Sequence, residues 1–331
     1  MRILEKLYID GFIVAMLGAV ALGWLLPTSG NSSEILSWTT KLAVALLFLM
    51  YGARLSTAEV WAGLRNWRLH LTTLALTYAI YPLLGLAFGA LFGPFLSSEL
   101  ATGIVFLTLV PATVQSCIAY TGIARGNVPA AVVAASTSSM LGVFLTPLLA
   151  AVVFRSGNHV RLEPGTEVSI VVQLLLPFVV GQLLHFRMGG FMRRHSAILR
   201  RADRSVILLV VFSAFSAGTA AGIWTALPPS RFALLIVVSV CLLLTALAVT
   251  SLSGKLLGFS RGDQVVILFV GTSKSITAGL PIAAVLFSGA HTALIIVPLM
   301  IYHQVKLVVC AVLAQRLGRH APEQVAEESA P

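Results

Sequence analysis

Ten apolar stretches, each about long enough to cross a membrane as a helix, follow one another along the chain. A helix needs about 20 largely apolar residues to span a hydrocarbon core of ~30 Å. The stretches lie near residues 10–27, 37–54, 70–93, 99–124, 127–154, 167–187, 205–226, 232–254, 262–288 and 291–316. We therefore expect an all-α polytopic membrane protein with ten transmembrane helices, surrounded by membrane lipid.

The composition excludes a water-soluble protein. Hydrophobic residues make up 58% of the chain and charged residues only 10%, whereas soluble domains carry roughly 25% charged residues. The net charge of +10 would suggest nucleic acid as a partner of a soluble domain. Here the basic residues stand at the ends of apolar stretches, so they indicate topology and no nucleic-acid partner is expected.

The positions of the basic residues predict the orientation. With both termini in the cytoplasm, sixteen of the 22 fall on the cytoplasmic side and two lie within apolar stretches. The remaining four, on the outer side, are Lys41, Arg155, Arg161 and Arg231. This bias follows the positive-inside rule and predicts a protein of the plasma membrane, the inner membrane in a bacterium, with cytoplasmic N- and C-termini.

The basic stretch from Arg187 to Arg204 divides the spans into five and five. Because five is odd, the second half enters the membrane from the opposite side, as in the inverted repeats of secondary transporters. The expected organisation is a first repeat in 1–155 and a second in 156–318, with the sixth span and the basic cytoplasmic connector in 156–204. The polar tail, 319–331, is expected to be disordered.

Two spans that occupy matching fourth positions in their halves are interrupted. Proline removes a backbone donor, and the freed carbonyls need side chains, water or an ion as partners. Candidate binding residues at the first break are Pro111, Thr113, Gln115, Ser116 and Cys117. Those at the second are Thr272, Ser273, Lys274, Ser275 and Thr277. Paired breaks indicate a transporter's central site, although either proline alone could merely kink a packed helix.

The spans that follow each break add further polar candidates. The fifth span contributes Ser136, Thr137, Ser138 and Ser139, and the tenth contributes His303 and Gln304. Small hydroxyls also serve close helix packing, which is the alternative interpretation. Lys306 is predicted to extend its ammonium toward the membrane interface.

Lys274 is the most unusual residue, because a charge near mid-membrane is costly and normally faces a cavity or a partner. The acid nearest in sequence, Asp263, is about 11 residues or ~16 Å away along a helix. Three roles remain open for Lys274. It could carry a proton in the transport cycle, attract an anionic substrate as a fixed charge, or support the broken helix by bonding its carbonyls.

Several motifs carry a family resemblance over roughly residues 8–318. They are Leu46–Leu55, Pro111–Cys117, Ala124–Val128, Thr146–Leu148, Ser260–Asp263 and Gly271–Ser275. They resemble the bile acid:sodium symporter superfamily, and most closely the branch of the human solute carrier 10 member 7. The resemblance implies a panel domain, a core domain in which spans four and nine cross, and sodium-driven uptake of organic anions.

The sodium site of that superfamily is not matched residue by residue. Ser116 and Cys117 stand where sodium-coupled members place a Ser-Asn pair, and Ala131 and Ala135 stand where they place hydroxyls. The second break has Lys274 and lacks their glutamate. Sodium prefers hard oxygen ligands, and an ammonium in the same cavity would repel it. Our hypothesis is that Lys274 takes the place of a sodium ion, which would make the transporter sodium-independent or proton-coupled. The coupling ion, sodium or proton, stays open.

The sequence therefore predicts a secondary transporter of a small organic solute, anionic and bile-acid-like or other, working by alternating access as a monomer or homodimer. The alternatives are a cation/proton exchanger of related fold and a non-transporting membrane regulator connected with calcium. No enzyme is expected, because the sequence shows no zinc-protease motif and no serine elbow. No cofactor or metal centre is expected either.

Overall fold

A computed structural model describes residues 11–54, 66–155, 171–222, 228–287 and 291–320, and these segments are helical throughout, joined by short turns. The expectations for the polar tail beyond residue 320 and for the outer position of Arg161 fall on other residues and lie outside this description. The polar, glycine-containing turns at Pro27–Gly30 and Arg125–Asn127 separate helices because such residues favour turns over helix interiors.

Among the described residues, the first half of the chain contains seven α-helices. They are α1 (Gly11–Leu25), α2 (Asn31–Arg54), α3 (Trp67–Ala75), α4 (Tyr81–Phe92), α5 (Ser98–Leu109), α6 (Val114–Ile123) and α7 (Val128–Arg155). A π-helical turn, Leu76–Ile80, joins α3 to α4. With the 3-10 turn Gly93–Phe95, they form one apolar segment, Trp67–Phe95, long enough to cross a membrane.

In the second half, the residues that the structure describes form six α-helices. They are α8 (Leu176–Arg194), α9 (Ser196–Ala220), α10 (Pro229–Leu256), α11 (Arg261–Thr272), α12 (Ile276–Leu286) and α13 (Thr292–Arg319). A π-helical turn, Val171–Leu175, leads into α8.

Within the described residues, seven helical segments are long and apolar enough to span a membrane. The count is eight if α5 and α6, which are bent by 63° at their break, form one span. Two shorter apolar helices, Val14–Leu25 and Val171–Arg187, accompany them. The protein is an integral membrane protein with many apolar helices, while the number of ten spans stays a prediction.

The helices differ in how much protein surrounds them. Protein buries 94% of the most apolar part of Arg261–Leu286, which contains α11 and α12, but only 28% of that of α2. Large apolar side chains such as Leu42 and Phe186 are exposed on the outer helices. Since these surfaces suit hydrocarbon rather than water, α11 and α12 form the centre and α2 and α8 lie at the lipid-facing periphery.

Glycines allow the outer helices to pair closely. A methyl group at Gly52 of α2 would press on the backbone carbonyl of Phe178 in α8, and one at Gly181 of α8 would press on that of Leu49 in α2. Gly23 of α1 also lies close to the backbone of α9, where a methyl group would come within 2.9 Å of the carbonyl oxygen of Phe212. Small residues at such crossings let helix backbones approach. The four helices α1, α2, α8 and α9 are called the outer group below.

The contacts follow the pairing that an inverted repeat requires. Helix α2 packs against α8, and α1 packs against α9. In the predicted numbering, the first pair is spans two and six, and the second pair is spans one and seven. Exchanging the two halves turns one pair into the other. The pairs α4–α5 and α10–α11 correspond in the same way. The repeat itself remains a prediction that these contacts favour.

Polar loops gather at one end of the remaining helices. The Arg261 guanidinium donates to the carbonyl oxygens of Leu317, at 2.6 Å, and Ala124, at 3.4 Å. The Asn127 amide donates to the Asp263 carboxylate at 2.8 Å. Arg261 thus caps the C-terminal ends of α13 and α6, where cations are favourable. The helices α6, α7, α11 and α13 are held together at this end.

Candidate functional site

The two helix breaks meet in the interior of the molecule. The chain leaves the helix after Leu109 and resumes at Val114, and it breaks again between Thr272 and Ile276. The Thr113 hydroxyl donates to the carbonyl oxygen of Lys274 at 2.7 Å, so the two interruptions are hydrogen-bonded to each other. Both breaks lie within the segments in which the sequence predicts them.

Lys274 occupies the space where the first break leaves carbonyl groups without helical partners. Its ammonium donates to the carbonyl oxygens of Thr108 at 2.8 Å, Val110 at 3.1 Å and Thr77 at 3.2 Å. It also lies 4.2 Å from the ring centre of Tyr81. Three acceptors match the three donors of an ammonium group. The side chain is fully buried, and within the described part of the chain it has no carboxylate partner.

The position of Lys274 favours the supporting role among the three that the sequence left open. Two of its acceptors, Thr108 and Val110, belong to the C-terminal end of α5, which carries the negative end of the helix dipole. A buried carbonyl without a partner costs free energy, so the ammonium stabilises the broken helix. Its side chain is not among those that line the polar cavity described below.

Side chains of α7 satisfy other groups at the first break. The Ser138 hydroxyl accepts a hydrogen bond from the backbone amide of Ala112 at 3.2 Å. The Thr146 hydroxyl donates to the carbonyl oxygen of Leu109 at 2.9 Å. The hydroxyl of Tyr78 donates to the Ser138 carbonyl oxygen at 2.5 Å. Two polar residues of the fifth span, Ser138 and Thr146, therefore serve the first break.

A tyrosine pair supplies a hydrogen bond to the backbone at the second break. The Tyr302 hydroxyl donates to the carbonyl oxygen of Thr272, the last residue of α11, at 2.8 Å. The hydroxyls of Tyr81 and Tyr302 are hydrogen-bonded to each other, and both side chains are buried. His303 approaches the Lys274 carbonyl oxygen with its Nδ1 atom at 3.3 Å.

A polar cavity of about 560 Å³ lies between the outer group and helices α6, α7, α12 and α13. Its polar wall consists of Thr113, Gln115, Ser116, Ser139, Ser275, Thr277 and His303. Near the start of α9, the lining includes Arg200, Asp203 and Arg204. The cavity therefore joins the crossing of the breaks to the basic connector.

Both half-helices that restart after a break begin at this cavity. Val114 opens α6 and Ile276 opens α12, and both residues line the cavity. The first N–H groups of a helix have no partner within it, and the dipole makes this end positive. Ser275 caps α12 through its hydroxyl, whereas Thr113 makes no side-chain cap on α6. Such ends are favourable places for an anion.

Lys306 lies directly behind the cavity wall. Its ammonium donates to the hydroxyl of Ser116 at 3.1 Å and to that of Thr113 at 3.4 Å. The side chain is fully buried. The prediction that Lys306 extends to the interface is wrong, because α13 places it against the first turn of α6, where these hydroxyls hold it inside the protein.

Comparison with known proteins identifies the family. The SBF-like CPA transporter family matches residues 10–319. The chain belongs to this family. The match includes both breaks, Lys274 and Lys306, and it confirms the resemblance to the bile acid:sodium symporter superfamily. The protein is a transporter and not an enzyme.

Individual relatives agree with this family over nearly their whole length. An uncharacterized protein of Pseudomonas aeruginosa is 43% identical over 96% of this chain and 95% of its own. YfeH of Escherichia coli K12, whose name proposes a symporter, is 38% identical over 97% and 96%. Sodium/bile acid cotransporter 7 of Xenopus tropicalis is 29% identical over 95% of this chain and 93% of its own length. The relatives therefore include a member of the branch that the motifs indicated.

The structure separates the sequence-predicted site residues into groups. Seven of them line the polar cavity, as given above. Others lie at the crossing of the breaks, behind the wall: Pro111, Cys117, Ser138, Thr272, Ser273 and Lys274. Gln304 lines a separate apolar groove between α1, α9, α10 and α13. Ser136 and Thr137 are half-buried on α7 and belong to neither the cavity nor the groove lining.

Sequence reasoning missed the partners of Lys274 and the charged residues that line the cavity. Thr77 and Tyr81 come from the third span, which looked like a plain membrane helix, and Thr108 comes from the part of the fourth span before its break. Thr77 and Thr108 act through backbone oxygens. Polar residues within the third span were the available signal. Arg200 and Arg204 were interpreted only as topology signals, although they also line the cavity.

Proposed function

We propose that the protein is a secondary transporter that moves a small organic anion by alternating access, with the polar cavity as its binding site. The observation that carries the proposal is that two half-helix N-termini, at Val114 and Ile276, open onto one cavity backed by Lys306. Transporters of this kind use half-helix N-termini to bind anionic groups of their substrates.

The charges around the cavity support an anionic substrate. Lys306 lies behind the wall, and Arg200 and Arg204 line one end. Asp203 is the one carboxylate among the described lining residues, and it stands between the two arginines in the sequence. A cleft lined mainly by one sign of charge concentrates ligands of the opposite sign.

The size and lining of the cavity support a small organic molecule. Pockets for small ligands have volumes of about 300–1,000 Å³ and combine apolar walls with a few polar groups. The cavity of about 560 Å³ falls in this range, and Ala119, Ile123 and Leu307 supply apolar surface beside the hydroxyls. The name of the relatives, sodium/bile acid cotransporter 7, makes bile acids one class to test.

The position of the cavity suggests which side it opens to. Arg200 and Arg204 belong to the connector that the charge bias predicts to be cytoplasmic. The described arrangement then corresponds to an inward-facing state in a ten-span protein of two inverted repeats, with cytoplasmic termini. Movement of the outer group against the helices of the crossing would open the site to the other side.

Lys274 supports a transport cycle that does not need sodium. A sodium ion binds to hard oxygen ligands, and carbonyl oxygens at the end of a half-helix are typical of cation sites in transporters. At the crossing, such oxygens of Thr108 and Val110 are engaged by the Lys274 ammonium. A lysine attached to the chain would supply the positive charge permanently, so no external cation would be required there.

The test uses purified protein in detergent and in liposomes. Melting temperature is measured with taurocholate, benzoate and citrate, and with the neutral analogue benzamide, in sodium chloride and in choline chloride. Stabilisation by one anion, but not by benzamide, is expected, since a ligand that binds only the folded state raises the melting temperature. Uptake of that anion into liposomes should persist in choline chloride. Uptake that stops without sodium would contradict the tethered-cation role of Lys274.

A further inference from the structure

The two buried lysines have partners of different chemical kinds. Lys274 donates to three carbonyl oxygens, which can only accept hydrogen bonds. Lys306 donates to two hydroxyls, those of Ser116 and Thr113. A hydroxyl can donate or accept. The surroundings of Lys274 therefore suit an ammonium alone, whereas those of Lys306 suit either an ammonium or a neutral amine.

We propose that Lys306 carries an exchangeable proton and couples it to the anion, while Lys274 keeps a fixed positive charge. The inference rests on the proposed anion transport and names its coupling ion. With Lys306 protonated, the site would attract the anion; with Lys306 neutral, it would release it.

The hydrogen bonds around Lys306 show how both states are accommodated. The Thr113 hydroxyl gives its proton to the Lys274 carbonyl oxygen at 2.7 Å, so toward Lys306 it acts as an acceptor. Among the described contacts, the Ser116 hydroxyl donates to no other group, so it can either accept a hydrogen bond from Lys306 or donate one to it. A neutral amine would donate one N–H to Thr113 and accept from Ser116, so its lone pair has a donor in this site, while its second N–H has no partner among these two hydroxyls.

The ammonium form has one donor more than these two partners accept. Thr113 and Ser116, which hold it, both line the cavity, and they stand at the N-terminal turn of α6. An anion bound at this turn is therefore adjacent to the Lys306 charge. Since a buried ammonium without a counter-charge is costly in a membrane protein, the anion would stabilise the protonated lysine.

The other titratable groups around Lys306 do not supply a negative counter-charge in the described structure. The nearest are the Cys117 and Cys310 thiols and the imidazole of His303. Those on the helices packed against α13 include Glu99 of α5, Tyr120 of α6, Arg200, Arg201, Asp203 and Arg204 of α9, and Arg231, Cys241 and Lys255 of α10. Arg261 and Asp263 of α11 lie at the capped end. Glu99 interacts with His291, at the start of α13.

Proton and anion binding would then be reciprocal. If the anion favours the protonated lysine, the proton favours the anion by the same factor. A monoanion that enters with one proton moves no net charge. Transport of a monoanion should be driven by a proton gradient and should not respond to membrane potential.

The proton is tested first, without any substrate. The chain has five lysines (Lys6, Lys41, Lys255, Lys274 and Lys306), so selective ¹³C labelling at lysine Cε gives five assignable NMR signals. The Lys306 signal, assigned with Lys306→Met, should move with pH over the range in which the protein stays folded. The Lys274 signal should stay constant. A constant Lys306 signal, or titration of Lys274 instead, would overturn the proposal.

The coupling is tested with liposomes that enclose a pH-sensitive dye. Addition of external benzoate or taurocholate should acidify the interior of wild-type liposomes beyond the acidification of protein-free liposomes. Lys306→Arg keeps the charge but does not exchange its proton, so it should bind the same anion with no dependence on pH. If Lys306 titrates but neither probe moves, the proton inference stands and the anion proposal fails. If a probe is taken up without protons, the coupling inference fails.

Discussion

The backbone amide of Ser275 donates a hydrogen bond to the carbonyl oxygen of Pro111 at 2.8 Å. Pro111 cannot donate a backbone hydrogen bond itself, and its carbonyl lies at the first break, where helical partners are missing. The second break thus supplies a main-chain partner to the first. Together with the Thr113–Lys274 bond, this makes the two interruptions one unit, so a change at either should be felt at both.

Replacement of Lys274 tests this unit most directly. Lys274→Met would leave three buried carbonyl groups without their donor, and an unpaired buried polar group costs about 1–3 kcal/mol. We expect a loss of stability of at least about 2 kcal/mol, measured as a lower melting temperature in detergent. Lys255→Met, at an exposed position in the last turn of α10, is the matched control. Equal melting temperatures for both variants would contradict the supporting role.

The tyrosine pair should show energetic coupling. Tyr302→Phe removes the donor to Thr272, and Tyr81→Phe removes the hydroxyl that bonds to Tyr302. Residues in one hydrogen-bond network show interaction energies of about 0.5–3 kcal/mol. The double variant should therefore differ from the sum of the single ones by about 1 kcal/mol in unfolding free energy. Strict additivity would show that the two hydroxyls act independently.

Much of this arrangement was predictable from the sequence, and the reasons are physical. Lipid requires that backbone groups be satisfied within the protein, so a proline or glycine with polar neighbours in an apolar span marks a break. Pro111 and the segment from Gly271 to Thr277 carried that signal. The partners of Lys274 carried little sequence signal, because Thr108 and Val110 act through carbonyl oxygens that every residue possesses. Lys306 was misplaced because a lysine that reaches an interface and one held by hydroxyls have the same sequence pattern.

The close crossing of α2 and α8 predicts a steric effect. In Gly52→Ala, the added methyl group would meet the carbonyl of Phe178, and forced overpacking typically costs about 1–3 kcal/mol. Gly18→Ala, on the exposed face of α1 with no atom within 4 Å of the new carbon, should leave the melting temperature unchanged. A similar decrease in both variants would point to helix flexibility instead of crossing distance.

The capping role of Arg261 can be separated from general surface charge. Arg261→Gln would remove donors from the ends of α6 and α13, and hydrogen bonds with a charged partner contribute about 1.5–3 kcal/mol when well formed. We expect a loss near the lower end of this range, since the group is partly exposed. Arg319→Gln, at the exposed end of α13, serves as the control for lost charge. Hydrogen exchange should increase at the ends of α6 and α13 in the first variant only.

The orientation of the cavity predicts a pattern of cysteine labelling. In a background with Cys117, Cys241 and Cys310 replaced by alanine, Gln115→Cys places a thiol on the cavity wall. A membrane-impermeant thiol reagent should modify it in inside-out vesicles. Labelling only in right-side-out vesicles would mean that the cavity opens outward. Leu299→Cys is a control at a fully buried position and should stay unmodified in both preparations.

The near-complete enclosure of α11 and α12 has a consequence for biosynthesis. A lysine at the centre of a membrane helix opposes insertion by about 2.5–3.5 kcal/mol. The groups that compensate for Lys274, on Thr77, Thr108 and Val110, are all synthesised earlier, in the first half of the chain. The second-half segment is thus expected to integrate stably only when those helices are already in the bilayer. If the first half is assembled wrongly, the second half should therefore fail to integrate stably and be degraded in the cell.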